Sequence, residues 1–165
     1  MPQISINSPV GALTIFEFDD QIVSLDWGFV EEMETSPVLN EAKAQINAYF
    51  AKKLHRFDLP LAPGGTTFQA AVWAAIRDIP LGQTATYQEL ARAAGSPKGF
   101  RAVGMACGKN PIPILIPCHR VLATGGKPGG YSGDGGLETK EMLLRLEGVD
   151  LYNPGQDQRQ DTFNL

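Results

Sequence analysis

The stretch TYQELARAAGSPKGFRAVGMACG, residues 86–108, reads as two short helices around a glycine turn. Thr86 followed by Glu89 is a capping-box signature, which opens a helix at Tyr87 and carries it to Ala94. Gly95 suits the C-terminal stop. Ser96-Pro97 then opens the next helix, which runs to Gly108 before Asn110-Pro111 breaks it. A pair of this kind, the second member rich in small residues and basic side chains, is a helix-turn-helix signature. Ala102 and Gly104 let that second helix approach a groove closely, and Arg101 among them can reach further in. Helix pairs with an intervening glycine also occur in many enzymes, so the pattern alone does not assign DNA binding.

Working outward, the pattern remains helical on the N-terminal side. Thr66 with Gln69 is another capping box, followed by Phe68, Val72, Ala75, Ile76 and Ile79 at helical spacing. Phe57 to Gly65, with Pro60, Pro63 and Gly64-Gly65, reads as a linker. Before it, residues 12–18 and 21–27 are β-rich runs, joined as a hairpin by Asp19-Asp20. Ser36-Pro37 opens a helix that turns Leu39, Ala42, Ile46, Tyr49 and Phe50 toward the strands. The expected architecture is α+β. A small N-terminal strand/helix domain spans residues 1–62, a mostly helical domain spans 63–150, and residues 151–165 form a mobile tail.

Composition bounds the function. The 165 residues, 43% hydrophobic and 19% charged, can bury a real core and exclude disorder over most of the length. No apolar run approaches the roughly 20 residues that span a bilayer, and the N-terminus lacks a basic-then-apolar leader. Two cysteines and two histidines supply neither a disulfide framework nor a zinc cluster. The expectation is a soluble cytoplasmic protein with reduced thiols, no metal, no cofactor and no membrane partner. The net charge of −4 is unevenly distributed. Residues 1–60 carry 4 basic and 9 acidic side chains, whereas residues 84–131 carry Arg92, Lys98, Arg101, Lys109, Arg120 and Lys127 against Glu89 alone. That segment, at 6 − 1 = +5, is a candidate polyanion-facing surface, or else a solvated basic face.

Beyond the helix break, Ile112-Pro113-Ile114-Leu115-Ile116 is too apolar for a surface loop and reads as a buried extended segment. It delivers Pro117-Cys118-His119-Arg120-Val121, a nucleophile next to a base. A free thiol titrates near pH 8.5, and lowering that by about three units requires roughly 4 kcal/mol of thiolate stabilisation. His119, Arg120 and helix ends are the expected sources. In an extended chain adjacent side chains point to opposite faces, so either the backbone turns at Cys118–His119 or a water connects the pair. Buried cysteines are commonly inert small hydrophobes, and Cys107 on its helix reads as one. His55, beside Lys52, Lys53 and Arg56, reads as solvated.

Taken together, Arg101-Ala102-Val103-Gly104, Asn110 through Val121, Tyr131-Ser132-Gly133 and Leu143 through Gly148 resemble the O6-alkylguanine-DNA alkyltransferases. The resemblance runs from Phe68 to Val149, about half the chain, and residues 1–62 resemble the family's ribonuclease-H-like companion domain more loosely. It implies a winged-helix-like C-terminal domain that flips O6-alkylguanine out of double-stranded DNA through the minor groove. The alkyl group passes irreversibly to Cys118, once per molecule, with O4 of thymine as a further substrate. By the same resemblance His119 relates to Cys118 through a water, and Glu147 holds the imidazole. Tyr87 donates to the departing guanine, and Arg101 enters the stack, with Ala102 and Gly104 beside it. Asn110 orders the turn before the active site. Val121, Tyr131 and Ser132 contact the base. The implied protein is a monomer without metal or cofactor, and the alternative is a non-catalytic module that recognises alkylated DNA. Two departures stand out: Phe100 where a small residue is usual, and a longer loop over Ser132–Gly136.

Overall fold

The computed structural model describes residues 1–131 and 135–151, so Ser132 and the expected tail beyond Leu151 lie outside the described residues. The chain divides into two compact units, residues 1–64 with 111–113, and residues 65–110 with 114 onward.

In the first unit β1 (Gln3–Ile6), β2 (Leu13–Phe18) and β3 (Gln21–Trp27) form an antiparallel sheet in the order β1-β2-β3. Asp19 and Asp20 both take positive φ, 53° and 60°, which is the twist a two-residue hairpin requires. β1 is absent from the sequence reading: four residues alternating Gln, Ile, Ser, Ile are a faint strand signal. Its buried Ser5 is satisfied by Thr14 Oγ1 at 2.8 Å. Helix α1 (Pro37–Phe50) is capped by Ser36 and buries Leu39, Ala42, Ile46 and Tyr49. Leu13, Ile15, Ile22 and Leu25 complete this core. The stretch read as a linker is stitched to the sheet instead. Ile22 N donates to Pro60 O and Ala62 N to Ile22 O, both at 2.8 Å, and Leu59 is buried. Its prolines fit because the hydrogen bonds use the Pro60 carbonyl and a non-proline amide.

In the second unit both predicted capping boxes are present with both halves formed. Thr66 caps α2 (Thr67–Arg77) and Thr86 caps α3 (Tyr87–Ala93). Gly95, at φ 77°, turns the chain after α3. Helix α4 (Phe100–Gly108) begins later than Ser96-Pro97 suggested, because Gly99 N bonds back to Ser96 O in a separate turn and Gly99 becomes the cap. Trp73 Nε1 donates to Ala106 O at 2.9 Å, locking α2 to α4. Strand β4 (Ala85–Thr86) pairs in parallel with β5 (Val121–Leu122). That two-residue ladder sets the start of α3 beside the chain that leaves Cys118. Helix α5 (Leu137–Leu146) packs its Leu143 and Leu144 inward. Among the described residues no helix is long and apolar enough to cross a membrane.

Candidate active site

Residues 112–116 are all buried, as expected, but they do not run extended. Ile114 takes φ 73°, an unusual conformation for a β-branched side chain, and turns the chain between Pro113 and Ile116. Asn110 Nδ2 donates to Ile116 O at 2.8 Å and fixes the exit of this turn. Cys118–Arg120 then form a single 3₁₀ turn, closed by Arg120 N bonding to Pro117 O at 2.9 Å. The backbone therefore does turn at Cys118–His119, and Cys118, His119 and Arg120 are all buried.

Behind the turn lies a closed polar network. His119 Nε2 meets Glu147 Oε2 at 2.5 Å, and Arg120 Nε donates to Glu147 Oε1 at 2.7 Å. Arg120 Nη1 also donates to Ile79 O at 2.6 Å. Burial alone would raise the Glu147 carboxyl, but the charges and hydrogen bonds of His119 and Arg120 hold it down at about 2. Burial pushes the His119 imidazole down and so favours its neutral form, with Glu147 pulling the other way. A neutral ring facing a carboxylate through Nε2 must carry its proton there. That leaves Nδ1 with the lone pair, and Nδ1 is buried with no hydrogen-bond partner.

The thiol is not poised as expected. Burial pushes Cys118 up from the ordinary cysteine value, opposed first by a side-chain hydrogen bond from Asn110 and then by the Lys140 charge. The His119 and Arg120 side chains, expected to stabilise the thiolate, are both engaged by Glu147. Lys140 is fully buried on α5, and its Nζ donates to Val121 O at 2.7 Å and Gly130 O at 3.0 Å. Burial lowers this lysine to about 8, opposed by the charges of Cys118 and Cys107. The sequence reading missed Lys140 altogether, although a signal existed. It precedes Leu143, Leu144 and Glu147 by three, four and seven residues, which is the spacing of the buried face.

Cys118 opens into a pocket of about 370 Å³ lined by Tyr87, Gly104, Cys107, Gly108, Gly130 and Tyr131. That volume lies at the small end of the range for small-molecule sites. Burial raises Tyr87 to about 12, so it stays a hydroxyl donor at neutral pH. Burial likewise pushes Tyr131 up. Cys107, read as an inert core residue, is a wall of this pocket, and burial lifts its thiol to about 12. Of the other expected residues, Arg101 and Ala102 are exposed on α4. Val121 is fully buried in β5 and is not a lining residue. The basic segment also loses a member, since Arg120 is internal. Arg92, Lys98, Arg101, Lys109 and Lys127 remain exposed. Among the described residues no group of His, Cys, Asp and Glu could hold a metal ion.

Residues 67–149 match the DNA-binding domain of 6-O-methylguanine DNA methyltransferase, and residues 3–63 match its ribonuclease-like domain. A methylated-DNA–protein-cysteine methyltransferase of Methanosarcina acetivorans is 51% identical over 116 residues, covering 70% of this chain and 73% of the relative. The constitutive enzyme of that name from Bacillus subtilis is 41% identical over 155 residues, covering 86% and 92%. Among solved structures, the Mycobacterium tuberculosis O6-methylguanine methyltransferase superposes with a TM-score of 0.77 at 39% identity, covering 92% of this chain and 97% of that one. The M. tuberculosis protein in complex with DNA gives 0.78 at 41% identity, covering 89% and 92%. The two matched domains and a shared architecture leave one assignment: the chain belongs to the 6-O-methylguanine DNA methyltransferase family.

Proposed function

We propose that this protein repairs DNA by direct reversal, taking the alkyl group from O6 of guanine onto Cys118. The observation that carries the site assignment is the His119 ring. Its Nε2 is fixed on Glu147 and its buried Nδ1 has no partner, one residue from the thiol. A buried base with its lone pair unengaged, one bridging water from a thiol that burial keeps protonated, is suited to proton removal at the moment of reaction.

In the proposed step a water bridges the Cys118 thiol and His119 Nδ1. The thiol proton moves toward Nδ1 as sulfur attacks the alkyl carbon. The S–C bond forms while the C–O6 bond breaks, and the electron pair of that bond stays on guanine. Tyr87, whose own proton is lost only near pH 12, gives a hydrogen bond to the departing base. The proton that guanine needs is restored from the imidazolium through solvent. The products are S-alkylcysteine and guanine. A thioether is a poor leaving group, so each molecule acts once. O4-alkylthymine presents the same alkyl–oxygen bond and is the proposed second substrate.

The duplex meets α4 through its minor groove, with Arg101 filling the space of the extruded nucleotide and offsetting part of the few kcal/mol that flipping costs. Ala102 and Gly104 let the helix lie close. Tyr131 and the backbone around Val121 face the base, and Asn110 holds the thiol by its side-chain hydrogen bond. Ser132 is proposed to contact the base from the lid. The protein acts as a monomer.

Intact mass and peptide mapping after incubation with a duplex containing one O6-methylguanine test the reading. One methyl on the Cys118 peptide, saturating at one equivalent and absent from Cys118→Ala, is the expected result. Damage-selective binding without any mass change would leave a recognition module and overturn the transfer step.

A further inference from the structure

Helix α4 exposes more apolar surface than its fold needs. Phe100 is 42% exposed and Met105 66% exposed, while Val103, Ala106 and Cys107 on the same helix are buried. The two flank Arg101, whose guanidinium carbon lies 5.8 Å from the centroid of the Phe100 ring. Helical spacing sets Arg101, Gly104, Met105 and Gly108 in one stripe, and Gly104 and Gly108 line the Cys118 pocket. Met105 follows Gly104 directly and Phe100 precedes it by one helical turn, so both side chains neighbour a lining residue of that pocket. The surroundings are cationic: Arg92, Lys98, Arg101, Lys109 and Lys127 are exposed, and Glu89 is the one acid in residues 84–131. Among the described residues, the other strongly exposed aromatic side chains, Phe18 and Phe29, lie in the acidic first third of the chain, where a polyanion is not attracted.

We infer that Phe100 and Met105 form an apolar clamp for DNA on either side of Arg101, a deepening of the proposed DNA-repair reading on which it rests. The occupant is the sugar edge and unstacked base face of the duplex, opened where one nucleotide leaves the helix. The Phe100 ring also orients the Arg101 guanidinium by cation–π contact, so that it enters the gap extended. The physical need for the clamp comes from charge. An acidic chain with five exposed cations in this segment holds DNA by a modest, salt-sensitive attraction. Apolar contacts with sugar and base do not release counterions, so they retain the duplex where salt weakens the ionic part. Phe100 in place of the small residue usual there is therefore a gain in adhesion rather than an obstruction.

Fluorescence anisotropy over a salt series, with a short duplex carrying one O6-methylguanine, tests this. A Phe100→Ala, Met105→Ala double variant should bind about tenfold more weakly at every salt concentration, in line with the cost of losing a base–aromatic stack. Its slope of log affinity against log salt should match the wild type, and Phe100→Tyr with Met105→Leu, which keep a ring and an apolar side chain, should recover most of the loss. Arg101→Ala should instead flatten the slope by about one. Thermal unfolding of the variants should track the wild type, since the side chains removed are exposed. Equal or tighter binding by the double alanine variant, or a loss accompanied by a changed slope, would overturn the clamp. Absence of DNA binding by the wild-type chain would overturn the DNA reading itself, whereas wild-type binding with an indifferent double variant overturns the clamp alone.

Discussion

Replacing Glu147 by glutamine separates the two jobs of the buried network. Its carboxylate accepts from His119 at 2.5 Å and from Arg120 at 2.7 Å, with all three side chains nearly or fully excluded from solvent. Each pKa unit is about 1.4 kcal/mol, so a carboxyl held at about 2 instead of 4.5 contributes about 3 kcal/mol above pH 4.5. That stability is lost as pH falls toward 2, because the unfolded chain takes up the proton first. The figure agrees with the cost, about 3–5 kcal/mol, of stranding one member of a buried ion pair, here Arg120. Glu147→Gln should therefore lower unfolding free energy by about 3 kcal/mol at pH 7 but by only about 1.4 kcal/mol at pH 3. The chemical effect is separate. Arg120 can only donate, so the amide oxygen stays with it and the amide NH₂ faces His119. The imidazole must then accept at Nε2 and carry its proton on Nδ1, the wrong tautomer for a base. Transfer should fall by at least about 100-fold, the usual worth of a positioned general base. Urea unfolding at the two pH values and single-turnover alkyl transfer read these separately. A stability deficit independent of pH would refute the electrostatic account, and transfer at the wild-type rate would refute the tautomer argument.

Other substitutions probe other parts of the site. Lys140→Met removes two hydrogen bonds to the Val121 and Gly130 carbonyls, at about 1–3 kcal/mol for each orphaned acceptor, but also relieves about 3 kcal/mol of lysine desolvation. Urea unfolding at pH 7 should thus change little, while duplex transfer drops about tenfold as the pocket wall loosens. Gly129→Ala places a Cβ 2.9 Å from the Tyr87 hydroxyl and 3.3 Å from its ring, at φ 67°, so it should displace Tyr87 and slow single-turnover transfer. Thr86→Ala abolishes the capping box that starts α3 at Tyr87, and denaturant unfolding should show a loss of about 1 kcal/mol.

Local features were legible in the sequence. Capping boxes at Thr66 and Thr86, the Ser36-Pro37 helix start and the Asp19-Asp20 hairpin depend on residues two or three apart, and all are present. Cys118, His119 and Glu147 came from motif order, and the polar network joins two of them across 28 positions. The readings that failed concern what neighbours in space do. Pro60 and Ala62 lie in a proline-rich stretch but complete a sheet, because Ile22 needed partners for its backbone. Arg120 counted as surface charge until Ile79 and Glu147 claimed it from 41 and 27 residues away. Cys107 keeps the unreactive thiol it was read as having, lifted to about 12 by burial, but nothing in its own helix says that it and Cys118 line one cavity.

The placement of Lys140 explains how a buried thiol can be both protected and usable. Burial that raises Cys118 keeps it protonated and poorly reactive toward electrophiles in solution, since the thiolate is the nucleophile. A thiolate in this pocket nevertheless has two stabilising neighbours already in place, the Asn110 side chain and the Lys140 charge. Lys140 gains from the same event, because a nearby thiolate raises its own pKa and opposes its desolvation. Negative charge on Cys118 therefore offsets part of the cost of burying the Lys140 cation. In the proposed transfer the resting state is a neutral thiol with a desolvated lysine, and the reacting state is a thiolate with a partly compensated one. The same logic applies once the alkyl group has been transferred. The thioether carries no charge, so the proposed alkylation would leave the Lys140 cation without that compensation. Two backbone carbonyls, from Val121 and Gly130, then hold the ammonium alone.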